Sequence, residues 1–250
     1  SDEIYISNGI YNMAVSWRPP PELEIMDLWE NRKVDSLPFP DFRESIKRAL
    51  PFSYVGDRDP LNKVLISGGK VAATNGHALI VLEPKGSDVN ERTICITQNS
   101  AGFLGSLTSR SFWIKETDEK YFLFTANEAI VLGKDNPFPD WESVIPQSGK
   151  MVKIPLSRKI RSLIEAAGKF SPKLGDTNVT MKVEEGVLSV ESCGAVKKFR
   201  TEILTDLSVK FNAKLIKSEA YCLREIHTKD HVSLMKIRGG VIIVMGIRHA

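Results

Sequence analysis

The residues best suited to bind a metal lie near the C-terminal end of the chain. Cys222, His227 and His231 are close in sequence, and thiolate sulfur and imidazole nitrogen are ligands that zinc prefers. Two histidines four positions apart come close together on one face of a helix, whereas this segment alternates like two strands with Lys229-Asp230 at the turn between them and would not bring the histidines together in that way. We therefore expect no metal and no cofactor. The alternative is an enzyme that uses these three residues with a metal. Elemental analysis of the purified protein would detect that metal and so tests this alternative.

Motifs of common enzyme families are missing from the sequence. It contains no P-loop, no Gly-x-Ser-x-Gly turn and no His-Glu-x-x-His motif. The Gly68-Gly69 pair lacks the phosphate-binding pattern around it, and no acid or nucleophile is placed beside His77, which follows the Asn75-Gly76 turn. These observations favour a binding protein that carries out no chemistry.

Basic residues fall between apolar ones in segments with helical periodicity. The clearest is 155–170, where Ile160, Leu163, Ile164 and Ala167 form one apolar stripe. Such cations could contact phosphates without reading bases, or they could be ordinary solvated helix faces. In the loop 55–60, Arg58 could reach a nucleic-acid backbone, or the loop could be a simple turn. The candidate phosphate-facing residues are Arg43, Lys47, Arg48, Arg58, Arg158, Lys159, Arg161, Lys169, Lys210, Lys214 and Lys217.

The elements that carry these residues follow a repeated order of helix, three strands, helix, three strands. Tight turns between successive strands favour antiparallel sheets. The period of about 105–110 residues is too long for a solenoid and predicts an α+β fold with two tandem domains, 37–149 and 150–250, each with two helices packed on antiparallel sheets. Helices are predicted over 42–50, 98–107, 155–170 and 212–220, and strands over 63–66, 70–75, 78–82, 112–116, 121–125, 129–132, 179–183, 187–191, 196–202, 221–227, 231–237 and 241–248.

Composition limits the classes of protein that this chain can be. With 250 residues, 42% of them hydrophobic, it can build two domains with cores. Three widely spaced cysteines, Cys95, Cys193 and Cys222, favour a reducing cytoplasm over a disulfide framework. The sequence has no run of about 18 apolar residues and no signal-peptide pattern, so we expect a cytoplasmic location without membrane contact. Because the net charge is only +3, a nucleic-acid surface would need its charge concentrated on one side.

The first 36 residues differ from the rest and are expected to be a leader or remnant segment. Pro19-Pro20-Pro21 disfavours helix and favours an extended polyproline conformation. Apolar residues such as Trp17 and Trp29 indicate that this segment packs against something.

Five short segments resemble the beta sliding clamp of bacterial DNA polymerase III. Residues 71–79, VAATNGHAL, are similar to its V-A-T-D-G-H-R-L signature, and 61–65, LNKVL, to the L-N-G-V-L strand before it. Residues 138–146, FPDWESVIP, resemble the F-P-D-Y-x-x-V-x-P link between the second and third domains. Residues 211–213 and 244–248 resemble the F-N-V and V-M-P-M-R segments of the third domain. The departures are Ala78 in place of Arg and Gly246 in place of Pro.

This resemblance covers 37–250 and implies a DNA polymerase processivity factor. In such clamps six domains complete a ring with helices inside, so a two-domain chain would need three copies to close it. The resemblance thus implies a homo-oligomeric ring that surrounds double-stranded DNA of any base sequence. The resemblance implies that the basic helices face DNA. The alternative is a clamp-derived adaptor or decoy that binds clamp-interaction peptides without encircling DNA.

The resemblance further implies a groove between the two domains. DNA polymerase and the clamp loader would dock there through linear motifs, because an apolar groove with a few polar groups can anchor a peptide. The matching positions are Leu61, Thr74, Gly76, His77, Ala78, Leu79, Pro139, Ser143, Val144, Asn212, Leu215, Ser233, Ile243, Met245, Gly246, Ile247 and Arg248.

Overall fold

A computed structural model describes residues 2–7, 12–17, 36–56, 60–84, 93–108, 111–116, 120–124, 129–133, 137–146, 151–169, 177–192, 194–229 and 232–245. Its α-helices are α1 (Phe39–Ala49), α2 (Gln98–Ser106) and α3 (Arg158–Lys169), and 3-10 helices span Leu50–Phe52 and Ala213–Cys222. We call the last of these the C-terminal 3-10 helix. None of the helices described is long and apolar enough to cross a membrane.

Eighteen strands accompany these helices in the described ranges. They are β1 (Asp2–Ser7), β2 (Asn12–Trp17), β3 (Ser36–Pro38), β4 (Lys63–Ser67), β5 (Lys70–Thr74), β6 (Ala78–Leu82), β7 (Thr93–Thr97), β8 (Ser111–Glu116), β9 (Lys120–Phe124), β10 (Ala129–Gly133), β11 (Val152–Pro155), β12 (Asn178–Glu184), β13 (Val187–Ser192), β14 (Ala195–Arg200), β15 (Leu207–Asn212), β16 (Glu225–Lys229), β17 (Val232–Ile237) and β18 (Gly240–Met245).

The strands form antiparallel sheets, which confirms the predicted α+β class. A central sheet has the order β11-β16-β17-β18-β6-β5-β4-β7. Two four-stranded sheets have the orders β10-β9-β8-β3 and β14-β13-β12-β15, and β1 pairs with β2. The central sheet joins the two halves of the chain through β6 and β18, where Leu79 lies opposite Ile243. The division into domains 37–149 and 150–250 stays a prediction.

Several elements differ from those that the sequence predicted. Strands β1 to β3, β7, β11 and β15 were not predicted, partly because β3 and β11 are too short to display a period. The predicted strand 221–227 begins later, at β16, because the C-terminal 3-10 helix continues to Cys222. Asn212 starts that helix, since its Oδ1 accepts a hydrogen bond from Lys214 N at 2.9 Å. The Pro19-Pro20-Pro21 segment lies outside the described residues.

All four longer helices pack on one continuous core, which we call the helix-facing core. It includes Phe42 and Ile46 of α1, and Ile80 and Ile242 of the central sheet. The predicted stripe on α3 is confirmed, because Ile160, Ile164 and Ala167 are buried and Leu163 packs against the same core. Burying each of the two isoleucines stabilises the fold by roughly 1.5–3 kcal/mol.

Gly168 lets α3 lie directly against the C-terminal 3-10 helix. A Cβ at this position would lie 2.9 Å from the backbone oxygen of Ala213 and 3.2 Å from Cβ of Lys217. The nearer atom belongs to the backbone and cannot rotate away, so even alanine would force the two helices apart. The two helices that carry most of the basic helical residues are therefore in direct contact.

Arg48 connects the helices of the two halves. Its guanidinium donates to both carboxylate oxygens of Glu219 at 3.1 and 2.7 Å and to the backbone oxygen of Arg238 at 3.0 Å. The Glu219 side chain is only 1% exposed. Such a bidentate pair fixes α1 against the C-terminal 3-10 helix with a defined geometry.

Replacing Arg48 by alanine is expected to lower the free energy of unfolding by about 2 kcal/mol, because it leaves the buried Glu219 carboxylate without its main partner. Urea unfolding measures this change. Lys47→Ala, on the exposed side of the same helix, is the control and should change the free energy of unfolding by less than about 0.5 kcal/mol. Equal stability of the two variants would show that the pair does not hold the halves together.

Candidate functional site

Positive charge is concentrated on the helices. The four longer helices contain nine basic and four acidic residues, a net charge of +5, whereas the whole chain carries only +3. The rest of the chain is therefore slightly acidic. A nearly neutral chain can form a phosphate-binding surface only if its positive charge is concentrated, and the charge of this chain is concentrated in this way. The exposed cations on these helices are Lys47, Arg158, Lys159, Lys169, Lys214 and Lys217.

The half-buried arginines of the helices are tied to the fold. Arg43 Nη1 donates to the backbone oxygen of Leu107 at 2.9 Å, and Arg161 Nη1 donates to that of Leu223 at 3.3 Å. Together with Arg48, these side chains satisfy carbonyls and a carboxylate of the protein itself. They add to the positive potential of the surface, but the exposed lysines are better placed to reach a ligand.

One predicted member of the basic surface lies elsewhere. Lys210 belongs to β15, where its neighbours Val209 and Phe211 point into the helix-facing core. Because side chains alternate along a strand, Lys210 points to the opposite face of its sheet. The prediction that it lies on a helix with the other cations is therefore wrong. Arg58 lies outside the described residues.

A second hydrophobic cluster lies on the face of the central sheet that points away from the helices. We call it the outer cluster, and it comprises Leu65, Ala72, Leu79, Val81, Cys95 and Ile243. The segment 137–146 packs over it through Phe138, Trp141 and Ile145. Lys70 Nζ lies 5.6 Å from the centre of the Trp141 ring, a cation–π contact that helps to hold this segment on the sheet.

The turn before β6 adds polar groups to one end of the outer cluster. Thr74 Oγ1 donates to the backbone oxygen of Ala78 at 2.9 Å and accepts from Gly76 N at 3.1 Å. Gly76 has φ +87°, and a Cβ there would lie 3.3 Å from Leu61 Cδ1. Glycine therefore suits this position both by conformation and by space. The turn exposes His77 to solvent.

The end of β18 reaches the same turn. Met245 N donates to the backbone oxygen of His77 at 3.1 Å, and the Met245 side chain is 53% exposed. In the adjoining segment 137–146, Val144 is 52% exposed, and Ser143 Oγ donates to the backbone oxygen of Asp140. The structure thus brings together these predicted groove residues: Leu61, Thr74, Gly76, His77, Leu79, Ile243 and Met245.

Two predicted groove residues point to the other face of the sheet. Ala78 is 2% exposed within the helix-facing core, and Ser233 is fully buried with its hydroxyl 3.3 Å from Thr228 Oγ1. Both alternate with outward-facing neighbours, so the prediction that they line an outer groove is wrong. Asn212 and Leu215 lie at the C-terminal 3-10 helix, where Leu215 packs against the helix-facing core. Gly246, Ile247 and Arg248 lie outside the described residues, and Pro139 is half-buried in the segment 137–146.

An ionic cluster that the sequence reasoning missed lies on the outer face of β11, β16 and β17. Glu225 Oε2 is 2.6 Å from Lys153 Nζ, and its Oε1 is 3.0 Å from Lys236 Nζ and 2.8 Å from His227 Nε2. Cys222, by contrast, packs against the helix-facing core. No group of three metal-binding side chains occurs in the described residues, and His231 lies outside them.

The surrounding cations hold the pKa of Glu225 at about 2, below its ordinary 4.5, chiefly through the hydrogen bond from Lys153 and then that from His227. The folded carboxylate thus releases its proton more readily than the unfolded one, so the cluster stabilises the fold above pH 4.5 and loses this contribution as the pH falls from 4.5 to about 2. We expect Glu225→Gln to destabilise the chain at neutral pH, with a difference that shrinks over this window in urea unfolding. A pH-independent difference would contradict this assignment.

The comparisons with known proteins agree with this geometry at the level of fold. No protein-family model matches the sequence, and no curated protein matches it. Solved structures do match. The DNA polymerase III beta subunit of Thermotoga maritima is 20% identical, with 100% of this chain and 74% of that chain covered and a TM-score of 0.69.

Two further bacterial structures are similar to nearly the same degree. The beta subunit of Borrelia burgdorferi, in complex with a natural product, is 17% identical over 90% of this chain and 69% of that chain, with a TM-score of 0.68. The Pseudomonas aeruginosa sliding clamp bound to griselimycin is 16% identical over 100% of this chain and 74% of that chain, with a TM-score of 0.68. The chain therefore has the fold of the bacterial DNA polymerase III beta sliding clamps.

Proposed function

We propose that this chain is a processivity clamp that surrounds duplex DNA with its helices and holds replication proteins through the groove at the outer cluster. The observation that carries the proposal is the separation of charge: the helices hold a net +5, whereas the rest of the chain is net acidic. The clamp fold supplies the geometry in which such helices would face a central hole.

The exposed lysines suit a surface that moves along DNA. A lysine ammonium contacts phosphates as a point charge, and phosphate contacts carry no sequence information. Binding would therefore be independent of base sequence and would fall steeply with salt, because each phosphate contact releases condensed counterions. A protein bound in this way can slide without breaking any specific contact.

The outer groove suits a short peptide from a polymerase or a clamp loader. Leu79 and Ile243, one from each half of the chain, form the buried apolar layer beneath this surface, and the exposed Met245 beside them can adapt to different apolar side chains. His77 adds a polar group at the rim. Tethering a partner here would raise its local concentration at DNA and would require no catalytic residue.

The experiment that tests this proposal mixes the chain with a linear plasmid, joins the ends of one half of the sample, and compares retention of the chain on the resulting circular and the linear plasmid during gel filtration in high salt. A clamp that encircles DNA is expected to stay on the circle and to slide off the ends of the linear form. An adaptor that binds only clamp-interaction peptides would be retained by neither form, and this result would overturn the proposal.

A further inference from the structure

The outer face of the central sheet continues past the outer cluster onto β17, β16 and β11. Each of these three strands carries one exposed lysine: Lys236 on β17, Lys229 on β16 and Lys153 on β11. We call these three residues the basic patch. The register of the strands shows on which face of the sheet the patch lies.

One row of paired residues connects Met245 with Lys229. Met245 of β18 pairs with Val232 of β17, and Val232 pairs with Lys229 of β16. Residues that lie directly opposite each other on neighbouring strands point to the same face of the sheet. Since neighbouring strands lie about 4.8 Å apart, about 10 Å separates the Cα atoms of Met245 and Lys229. Lys229 therefore extends the surface on which the exposed Met245 lies.

The other two lysines of the patch point to the same side. Lys236 lies opposite Val241, which packs against the outer cluster. In the row between Val241 and Met245, strand pairing leads from Ile243 across β17 and β16 to Lys153. The outer face thus changes from apolar at β6 and β18 to basic at β16 and β11.

The charge of the patch exceeds what the protein itself neutralises. Glu225 is the one carboxylate at an outward-facing position of the described strands β11, β16, β17 and β18, so three lysines and one glutamate leave a net charge of +2. Glu225 pairs with Lys153 at 2.6 Å and with Lys236 at 3.0 Å. Lys229 forms no ion pair with any of the described residues. Its ammonium group is therefore available to a ligand.

We propose that the basic patch extends the peptide groove and binds a carboxylate of the partner, so that this chain selects linear motifs with an acidic residue about three residues from the apolar anchor. An extended peptide advances about 3.3 Å per residue, so three residues cover the distance of about 10 Å from Met245 to Lys229. The inference rests on the proposed function, because an anchor on Met245 determines where the peptide lies.

Charge complementarity selects this occupant. An apolar side chain of the peptide would meet the exposed Met245, and a carboxylate would meet the unpaired ammonium group of Lys229. Glu225 holds the neighbouring Lys153 and Lys236 in place, so their positive charge is ordered before a peptide binds. Duplex DNA has its own surface in the proposed function, on the helices at the opposite face of the sheet.

Two fluorescent forms of one synthetic clamp-binding peptide test the patch. Both contain the same apolar anchor, and one has an aspartate three residues before and after it where the other has asparagines. The parent is expected to bind the aspartate form about fivefold more tightly at low salt, the upper range for an ion pair at an exposed site. High salt should remove this difference, because it screens exposed charges.

A charge swap provides the second measurement. Lys229→Glu should bind the asparagine form more tightly than the aspartate form, and a third peptide with lysines at these positions should bind Lys229→Glu more tightly than it binds the parent. Lys229→Gln adds no new charge and should bind the aspartate and asparagine forms alike. Lys198→Glu changes the net charge equally at an exposed position of β14, and this matched control should keep the parental selectivity.

The possible results separate the patch from the groove. Equal binding of the aspartate and asparagine forms by the parent, or unchanged selectivity in Lys229→Glu and Lys229→Gln, would overturn the patch and leave the groove standing. A parent that binds neither form would overturn the groove and the patch with it. Weaker binding of duplex DNA by Lys229→Glu than by Lys198→Glu would overturn the inference by assigning the patch to nucleic acid.

Discussion

The variant with Lys159→Glu and Lys217→Glu is expected to bind duplex DNA of any sequence about 100-fold more weakly than the parent at low salt. Both lysines are exposed, and they lie on helices that touch through Gly168. Each substitution replaces an attraction to phosphate with a repulsion. If each lysine contacts one phosphate, the negative slope of log affinity against log salt should become shallower by about 2, because each contact contributes about −0.9 to that slope.

Fluorescence anisotropy with two unrelated duplexes measures this effect, and both should weaken alike. The matched control carries Lys115→Glu and Lys182→Glu, which change the net charge equally but lie on strands, at exposed positions that alternate with residues of the helix-facing core. An equal loss of affinity in the control would mean that net charge, and not the helix surface, attracts the DNA.

Met245→Asp is expected to weaken binding of a synthetic clamp-binding peptide by about 30-fold or more, a loss of about 2 kcal/mol or more. The side chain is half exposed at the end of β18, beside the turn that exposes His77. An apolar anchor of a peptide that packs on Met245 would meet a carboxylate that has to be desolvated, which is costly. Because Met245 is outside the core, the free energy of unfolding should change by less than about 0.5 kcal/mol.

The control for this variant is Leu204→Asp, which puts the same charge in place of an 89% exposed leucine. It should bind the peptide as the parent does. Calorimetric titration compares all three proteins, and binding of DNA should be the same in each because the helices are unchanged. A Met245→Asp variant that binds the peptide with parental affinity would remove Met245 from the groove.

The sequence alone predicts those parts of the fold that a local pattern determines. The spacing of Ile160, Ile164 and Ala167 predicts the buried face of α3, and the tight turns between strands predict antiparallel sheets. The positive charge of the helices could also be anticipated. These features depend on periods of 3.6 or 2 residues and on turn chemistry, all of which are local.

The sequence alone does not predict contacts that depend on a residue far away in the chain or on the register of paired strands. No local pattern predicts that Leu79 lies opposite Ile243 or that Arg48 binds Glu219. A shift of one residue along a strand exchanges its two faces. Ser233 was assigned to the groove by resemblance alone, whereas its pairing with Val244 places it on the helix-facing side. The Glu225 cluster likewise requires the register of three strands.

Topological linkage to DNA is the property that tests the proposed function most directly. The chain can be mixed with a linear plasmid, the plasmid ends joined by ligase, and the product passed through a gel-filtration column in high salt. A ring around DNA is expected to elute with the ligated circle, to be lost from unligated DNA, and to be released when the circle is cut once. Elution of the protein away from the circle, or equal retention on circular and linear DNA, would contradict encirclement.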